Sequence, residues 1–139
     1  MGMTVWLNVR NGEKHDADNE DRSAIFDLQE RIDALATSLG VEPLSTFFDE
    51  TDLRYNMDEE AEFAESEDGW PASAASWHDP KNVLVTVEAI CTHLEANQSA
   101  ITETDGWGRD DVLEDLKTLV PGLKAAEAAG RKVHLLVVM

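Results

Sequence analysis

Nineteen of the chain's 29 carboxylates fall between Glu13 and Asp68, where only Lys14, Arg22, Arg31 and Arg54 oppose them. Four bases against nineteen acids leave this stretch with −15 of the formal −18. Carboxylates at such density can hold a hard cation, attract a basic partner, or simply keep a surface wet. They do not single out a general acid and base, because among 29 carboxylates some become neighbours in almost any fold.

A calcium loop fails on geometry. Asp16, Asp18, Glu20 and Asp27 match positions 1, 3, 5 and 12 of an EF-hand loop, but Asp21 stands where the sharp turn needs glycine, and no helix precedes it. Asp49, Asp52, Asp58, Glu59 and Glu60 could gather a hard cation only weakly. The histidines, His15, His78, His93 and His134, include no i, i+4 pair, and Cys91 has no second thiol beside it, so zinc is not expected. Near a helix start, His78 reads as a capping neighbour of Asp79, and His134 inside a strand reads as a packed, hydrogen-bonded residue. Cys91 falls on an apolar helical stripe, where a thiol acts as a small hydrophobe. A nucleophilic role would need exposure and a cation, and that helix offers only the distant Lys81.

No G-x-S-x-G, P-loop or G-x-G-x-x-G sequence occurs. Gly106-Trp-Gly108 precedes a helix whose Asp110 and Asp111 would repel a phosphate. No cofactor is expected. Lysines and arginines form no patch interleaved with aromatics, and the acidity repels nucleic acid and anionic membranes. The residues left for function are acidic and aromatic: Asp49, Asp52, Asp58, Glu59, Glu60 and Glu62 form a negative rim, with Trp70 and Trp77 behind it. The tryptophans read first as clips holding a long loop to the core. The functional alternative makes them exposed anchors inside an acidic rim, suited to a cationic protein.

The elements that position these groups follow from periodicity. Thr4 to Val9 alternates, with Val5, Leu7 and Val9 on one face, and Asn11-Gly12 stops it as a turn. Trp6 on the other face needs cover from a neighbouring helix or a second chain. Residues 15–21 read as a solvated lead-in to a helix carrying Ile25, Leu28, Ile32, Leu35 and Leu39, with Ser23 as N-cap, an Asp27–Arg31 pair on its wet face and Gly40 at its end. Leu44, Phe47 and Phe48 pin a short helical turn. Residues 49–78 read as a long acidic surface excursion with a helical turn over residues 57–64. Asp79-Pro80 starts a second helix, with Val83, Val87, Ile90, Cys91 and Leu94 inward, that fades near Asn97. Asp110-Asp111 opens a third, which Pro121-Gly122 should kink or break before it ends at Gly130. The last run, Arg131 to Val138, is nearly continuously apolar and reads as a strand buried on both faces.

The chain therefore reads as one α+β domain, helix-rich, in the order strand, helix, acidic loop, helix, broken helix, strand. Its terminal strands share a small sheet, with a third strand to come from the excursion or from a second chain. Met3 can itself serve as a start, so Met1 and Gly2 stay outside this reading. No apolar run suits a membrane helix or a secretory signal, and a lone cysteine fits a reducing cytoplasm. A homodimer could form through a sheet edge or the Trp6 face. The function these features favour is a non-enzymatic acidic binding protein, of inhibitor or immunity type, that engages a basic partner protein. The alternatives are a metal-dependent enzyme or cation binder using clustered carboxylates, and a protein whose acidity is adaptation to a saline cytoplasm.

Overall fold

The structure, a computed structural model, describes residues 2–57, 70–101 and 106–139. The alternating N-terminal run becomes β1 (Thr4–Asn11), and the apolar C-terminal run becomes β4 (Val133–Val138). The two pair antiparallel from Thr4↔Val138 to Val9↔Val133. All six β4 residues are buried, as a central strand requires.

Two further strands, β2 (Lys14–Ala17) and β3 (Phe48–Asp49), complete a sheet of order β2-β1-β4-β3. Phe48–Asp49 forms β3, parallel to β4, so the third strand comes from the start of the acidic stretch. The parallel pairing needs a crossover, which α4 (Pro80–Ala96) and α5 (Arg109–Ala129) supply. The fourth strand corrects the reading of residues 15–21 as a wet lead-in: Lys14–Ala17 forms β2, hairpinned to β1 through Gly12-Glu13. Gly12 has φ +68°, the positive value a two-residue hairpin loop asks of its first position.

The rest of that lead-in wraps a buried cation. Arg22 is fully buried; its guanidinium reaches Asp18 at 2.7 Å, Glu20 at 3.3 Å and the Thr118 hydroxyl at 2.7 Å. Asn19, at φ +58°, makes the turn between the two carboxylates, a conformation asparagine tolerates better than most residues. Ser23 is not the cap. It is the first residue of α1 (Ser23–Asp27), while Thr4 Oγ1 accepts from the Arg22 amide and the Asp115 carboxylate accepts from the Ile25 amide.

The first helix is also not continuous. At Leu28, φ −104° and ψ 20° separate α1 from α2 (Gln29–Ser38). The break lets Ala24 and Ile25 pack toward β1 and α5 while Ile32 and Ala36 turn toward α4. Gly40, at φ +76°, ends α2 as expected, with Val41 N–H donating to Ala36 and Gly40 N–H to Thr37.

The start of α4 follows the sequence closely: the Asp79 carboxylate accepts from the Lys81 amide at 3.0 Å, and Pro80 takes the first position. In contrast, α5 runs unbroken through Pro121. Pro121 is exposed, so the Lys117 carbonyl that it cannot serve can turn to water, while Leu116, Leu119, Leu123 and Ala126 keep the helix on the core. Gly122 permits a close approach: a Cβ there would lie 2.5 Å from Leu7 Cδ2.

These helices cover the sheet face bearing Val5, Leu7, Val133 and Leu135. The opposite face is covered as well. There α3 (Thr51–Met57) and residues 70–78 lie over Trp6, Leu136 and Val138 through Tyr55, Trp70, Ala75 and Trp77. The described parts of the expected excursion are thus not a surface loop; they form β3, α3 and a 3₁₀ turn at Ala72–Ala74, and they supply the cover Trp6 needs. The helical turn expected over residues 57–64 lies outside the described residues beyond Met57. No helix among the described residues is long and apolar enough to cross a membrane.

Candidate functional site

Alternation on β1 puts Asn8 on the same face as Trp6, opposite His134 of β4 and Ala17 of β2; His15 of β2 lies opposite Arg10. Asp49 of β3 pairs with Leu136 and joins this second face. Polar side chains therefore sit on a covered sheet surface, and Asn8 and His134 are fully buried there.

Asn8 Nδ2 lies 3.0 Å from His134 Nε2 and 3.2 Å from His15 Nδ1. The far nitrogen of each ring faces a carbonyl of the covering segment: His134 Nδ1 to Ser76 O at 3.0 Å, and His15 Nε2 to Trp70 O at 2.9 Å. A carbonyl only accepts, so His134 carries its hydrogen on Nδ1 and His15 on Nε2. Their bare nitrogens accept the two hydrogens of the Asn8 amide. All four ring nitrogens are occupied, and Asn8 Oδ1 is left buried with no partner.

The rings are also stacked. His15 lies on Trp70 with centroids 3.9 Å apart, and His134 on Trp77 at 4.1 Å. The Arg10 guanidinium sits 5.9 Å from the Trp77 ring centroid. Burial pushes the His134 imidazole down to about 4 against the pull of nearby Asp49, so the ring is neutral at pH 7. Burial also lowers His78, again against Asp49; its ring meets Phe47 edge-on at 5.2 Å, and its backbone bridges Val133. Burial would raise Asp49, but hydrogen bonds from Thr51 and Ser76 outweigh it and hold the carboxyl below its ordinary value.

Of the acidic and aromatic residues singled out from sequence, Asp49, Asp52, Trp70 and Trp77 come together here. Asp49 is buried, and its two oxygens accept from the Thr51 and Ser76 amides. Asp52 accepts from Trp70 Nε1 at 3.1 Å. Trp70 is 5% exposed, while Trp77 is half-buried and donates to the Ala72 carbonyl at 2.7 Å. Both tryptophans clip residues 70–78 to the sheet. Asp58, Glu59, Glu60 and Glu62 lie outside the described residues. Sequence reasoning missed Asn8 and His15 as members of this cluster. For Asn8 the available signal was a polar residue on one face of a strand whose other face carries Val5, Leu7 and Val9; for His15 there was none, since β2 has no apolar face.

With every ring nitrogen engaged, neither His15 nor His134 has a lone pair free for a metal or a substrate proton. Among the described residues no three His, Cys, Asp or Glu side chains are grouped to hold a metal ion. Cys91 is buried, and burial raises its thiol to about 11.

A concave surface lies on the helical side, where β1 and β2 meet α5. This groove of about 550 Å³ has an apolar floor including Leu7, Val9 and Ala126, an acidic rim of Asp16, Asp18 and Glu20, and Arg131 among its lining residues. Comparison with protein-family models, curated proteins and solved structures finds no match to this chain.

Proposed function

We propose that this chain is a non-enzymatic acidic binding protein, of the inhibitor or immunity type, that engages a basic partner protein through its acidic half. The observation that carries this reading is the imbalance of surface charge. Over residues 13–57, nine carboxylates are exposed, including Glu13, Asp16, Glu20, Asp27, Glu30 and Glu50, against the exposed bases Lys14, Arg31 and Arg54. Arg22, the fourth base of this half, is buried and held by Asp18 and Glu20. Residues 58–69 add seven carboxylates and no base to the sequence. Such a field accelerates encounter with a basic surface and weakens as salt screens it.

Two structural relationships support the reading. The flanks of the seven-carboxylate segment are fixed to the sheet and to each other, through Asp49, Asp52, Trp70 and Trp77. The groove beside α5 also pairs an apolar floor with carboxylates, as a lysine or arginine needs for its stem and its charge.

The test is affinity capture from native lysate at low and high salt, with the retained protein identified and its charge determined. A basic partner that is retained at low salt, released by salt and lost when Asp58→Lys, Glu59→Lys and Glu60→Lys are introduced together is the expected result. Retention that ignores both salt and charge reversal contradicts the reading.

A further inference from the structure

We infer that His15, Asn8 and His134 form a proton-released latch that holds residues 70–78 on the second face of the sheet. The inference stands on hydrogen-bond geometry and is independent of the proposed binding function.

With both imidazoles neutral, the closed arrangement accepts only one pattern of hydrogens. Ser76 O and Trp70 O each demand an N–H from the ring they face, and the Asn8 amide fills both remaining ring nitrogens with its two hydrogens. The cost of this pattern is visible in Asn8 Oδ1, which is buried and unpartnered. A proton added to either imidazole places N–H against N–H across 3.0 or 3.2 Å. Rotating the amide cures that ring and turns Oδ1 onto the bare nitrogen of the other. A single added proton therefore fits neither amide orientation.

Burial opposes the proton further and outweighs the attraction of Asp49. Facing the cluster are Arg10 from β1, Asp49 from β3, Asp52 from α3 on Trp70, and His78 from the covering segment. Arg10 and His78 add no negative charge, and Asp49 already accepts from two backbone amides. The indole faces attract an imidazolium but supply no acceptor for its extra N–H. Burial holds His134 neutral, in keeping with this arrangement.

The covering segment is the part that yields. Asn8 and His134 are built into a ladder of six residue pairs between β1 and β4. Residues 70–78 are held by the two imidazole contacts, the two ring stacks, the Ala72–Glu13 and Ser76–Asp49 bonds and the His78–Val133 bridge. Release lets the His134 imidazole take up a proton in water, so acid favours the released state.

Hydrogen exchange of residues 70–78, referenced to α5 peptides in the same sample, reads the latch between pH 7.5 and 5.5. Relative protection of the segment falls on acidification, little above pH 6.5 and by about tenfold in all from pH 7.5 to 5.5 for one proton taken up on release, while α5 stays protected. Protection ratios that do not change with pH overturn the latch. Asn8→Asp replaces the donor with a group that only accepts, so this variant protects residues 70–78 better at pH 5.5 than at 7.5; acid loss as in the parent chain overturns the inference. Should Asn8→Asp fail to fold, imidazole nitrogen shifts of the parent chain decide. They should report hydrogen on His134 Nδ1 and His15 Nε2 at neutral pH, and the opposite tautomer in either ring overturns the latch.

Discussion

Trp70 Nε1 donates to the Asp52 carboxylate at 3.1 Å, joining residues that flank the seven carboxylates of segment 58–69. Trp70→Phe keeps an aromatic face for His15 but loses this bond, and should cost about 1 kcal/mol in urea unfolding. Trp70→Ala also empties a buried site and should cost about 3 kcal/mol. Equal effects of the two variants would show that the hydrogen bond, not the packing, holds the segment.

Gly122 lies where an added Cβ would be 2.5 Å from Leu7 Cδ2. Alanine gains about 1 kcal/mol of helix propensity, but overpacking a core contact costs roughly 1 to 3 kcal/mol. Gly122→Ala should therefore destabilise the chain by about 1 kcal/mol. Leu7→Val introduced with it should recover part of the loss, a coupling that a double-mutant cycle measures. Additive effects would mean that the two positions do not press on one another.

Arg22 is fully buried, with Asp18, Glu20 and Thr118 around its guanidinium. Removing it strands those groups, so Arg22→Ala should cost about 3 kcal/mol by urea unfolding. A loss below about 1 kcal/mol, the range of exposed pairs, would show that the cluster is a surface feature.

Buried His134 and half-buried Asp115 give opposite pH signs. His134 falls from 6.5 to about 4 in the fold, so its contribution to stability is present above pH 6.5 and is lost as pH falls toward 4. The span corresponds to about 3 kcal/mol. His134→Gln should flatten the unfolding free energy between pH 7 and 5. Asp115 rises from 3.8 to about 6 through burial, against hydrogen bonds from the α1 amides and the charge of Arg22. Its contribution is present below pH 3.8 and is lost as pH rises through 6, so Asp115→Asn should raise the urea midpoint at pH 7.5 more than at pH 5. The reverse order would place Asp115 in a wetter site.

The elements legible in the sequence are those whose local signals agree with their tertiary environment. β1 alternates, β4 is apolar but for His134, and Asp79-Pro80 and Gly40 act at the ends of their helices as their chemistry directs. β2 was hidden because Lys14-His-Asp-Ala17 has no apolar face; its partner β1 and the Gly12 turn create it. The break at Leu28 and the continuity of α5 through Pro121 are likewise decisions of packing, made by where Ile25, Ile32 and Leu123 find their neighbours. At the candidate site, the acidic run identified Asp49, Asp52, Trp70 and Trp77 as one region. Their joint arrangement depends on Asn8, His15 and His134 from distant strands, and no local spacing reports contacts across 126 residues.

The central functional claim is attraction between an acidic half and a basic partner, and the direct measurement is the association rate with the captured partner as ionic strength rises. The rate should fall by about tenfold or more from low to physiological salt, with dissociation little changed, and Asp58→Lys, Glu59→Lys and Glu60→Lys together should flatten the dependence. An association rate indifferent to salt and to these reversals would contradict electrostatic recognition by this chain.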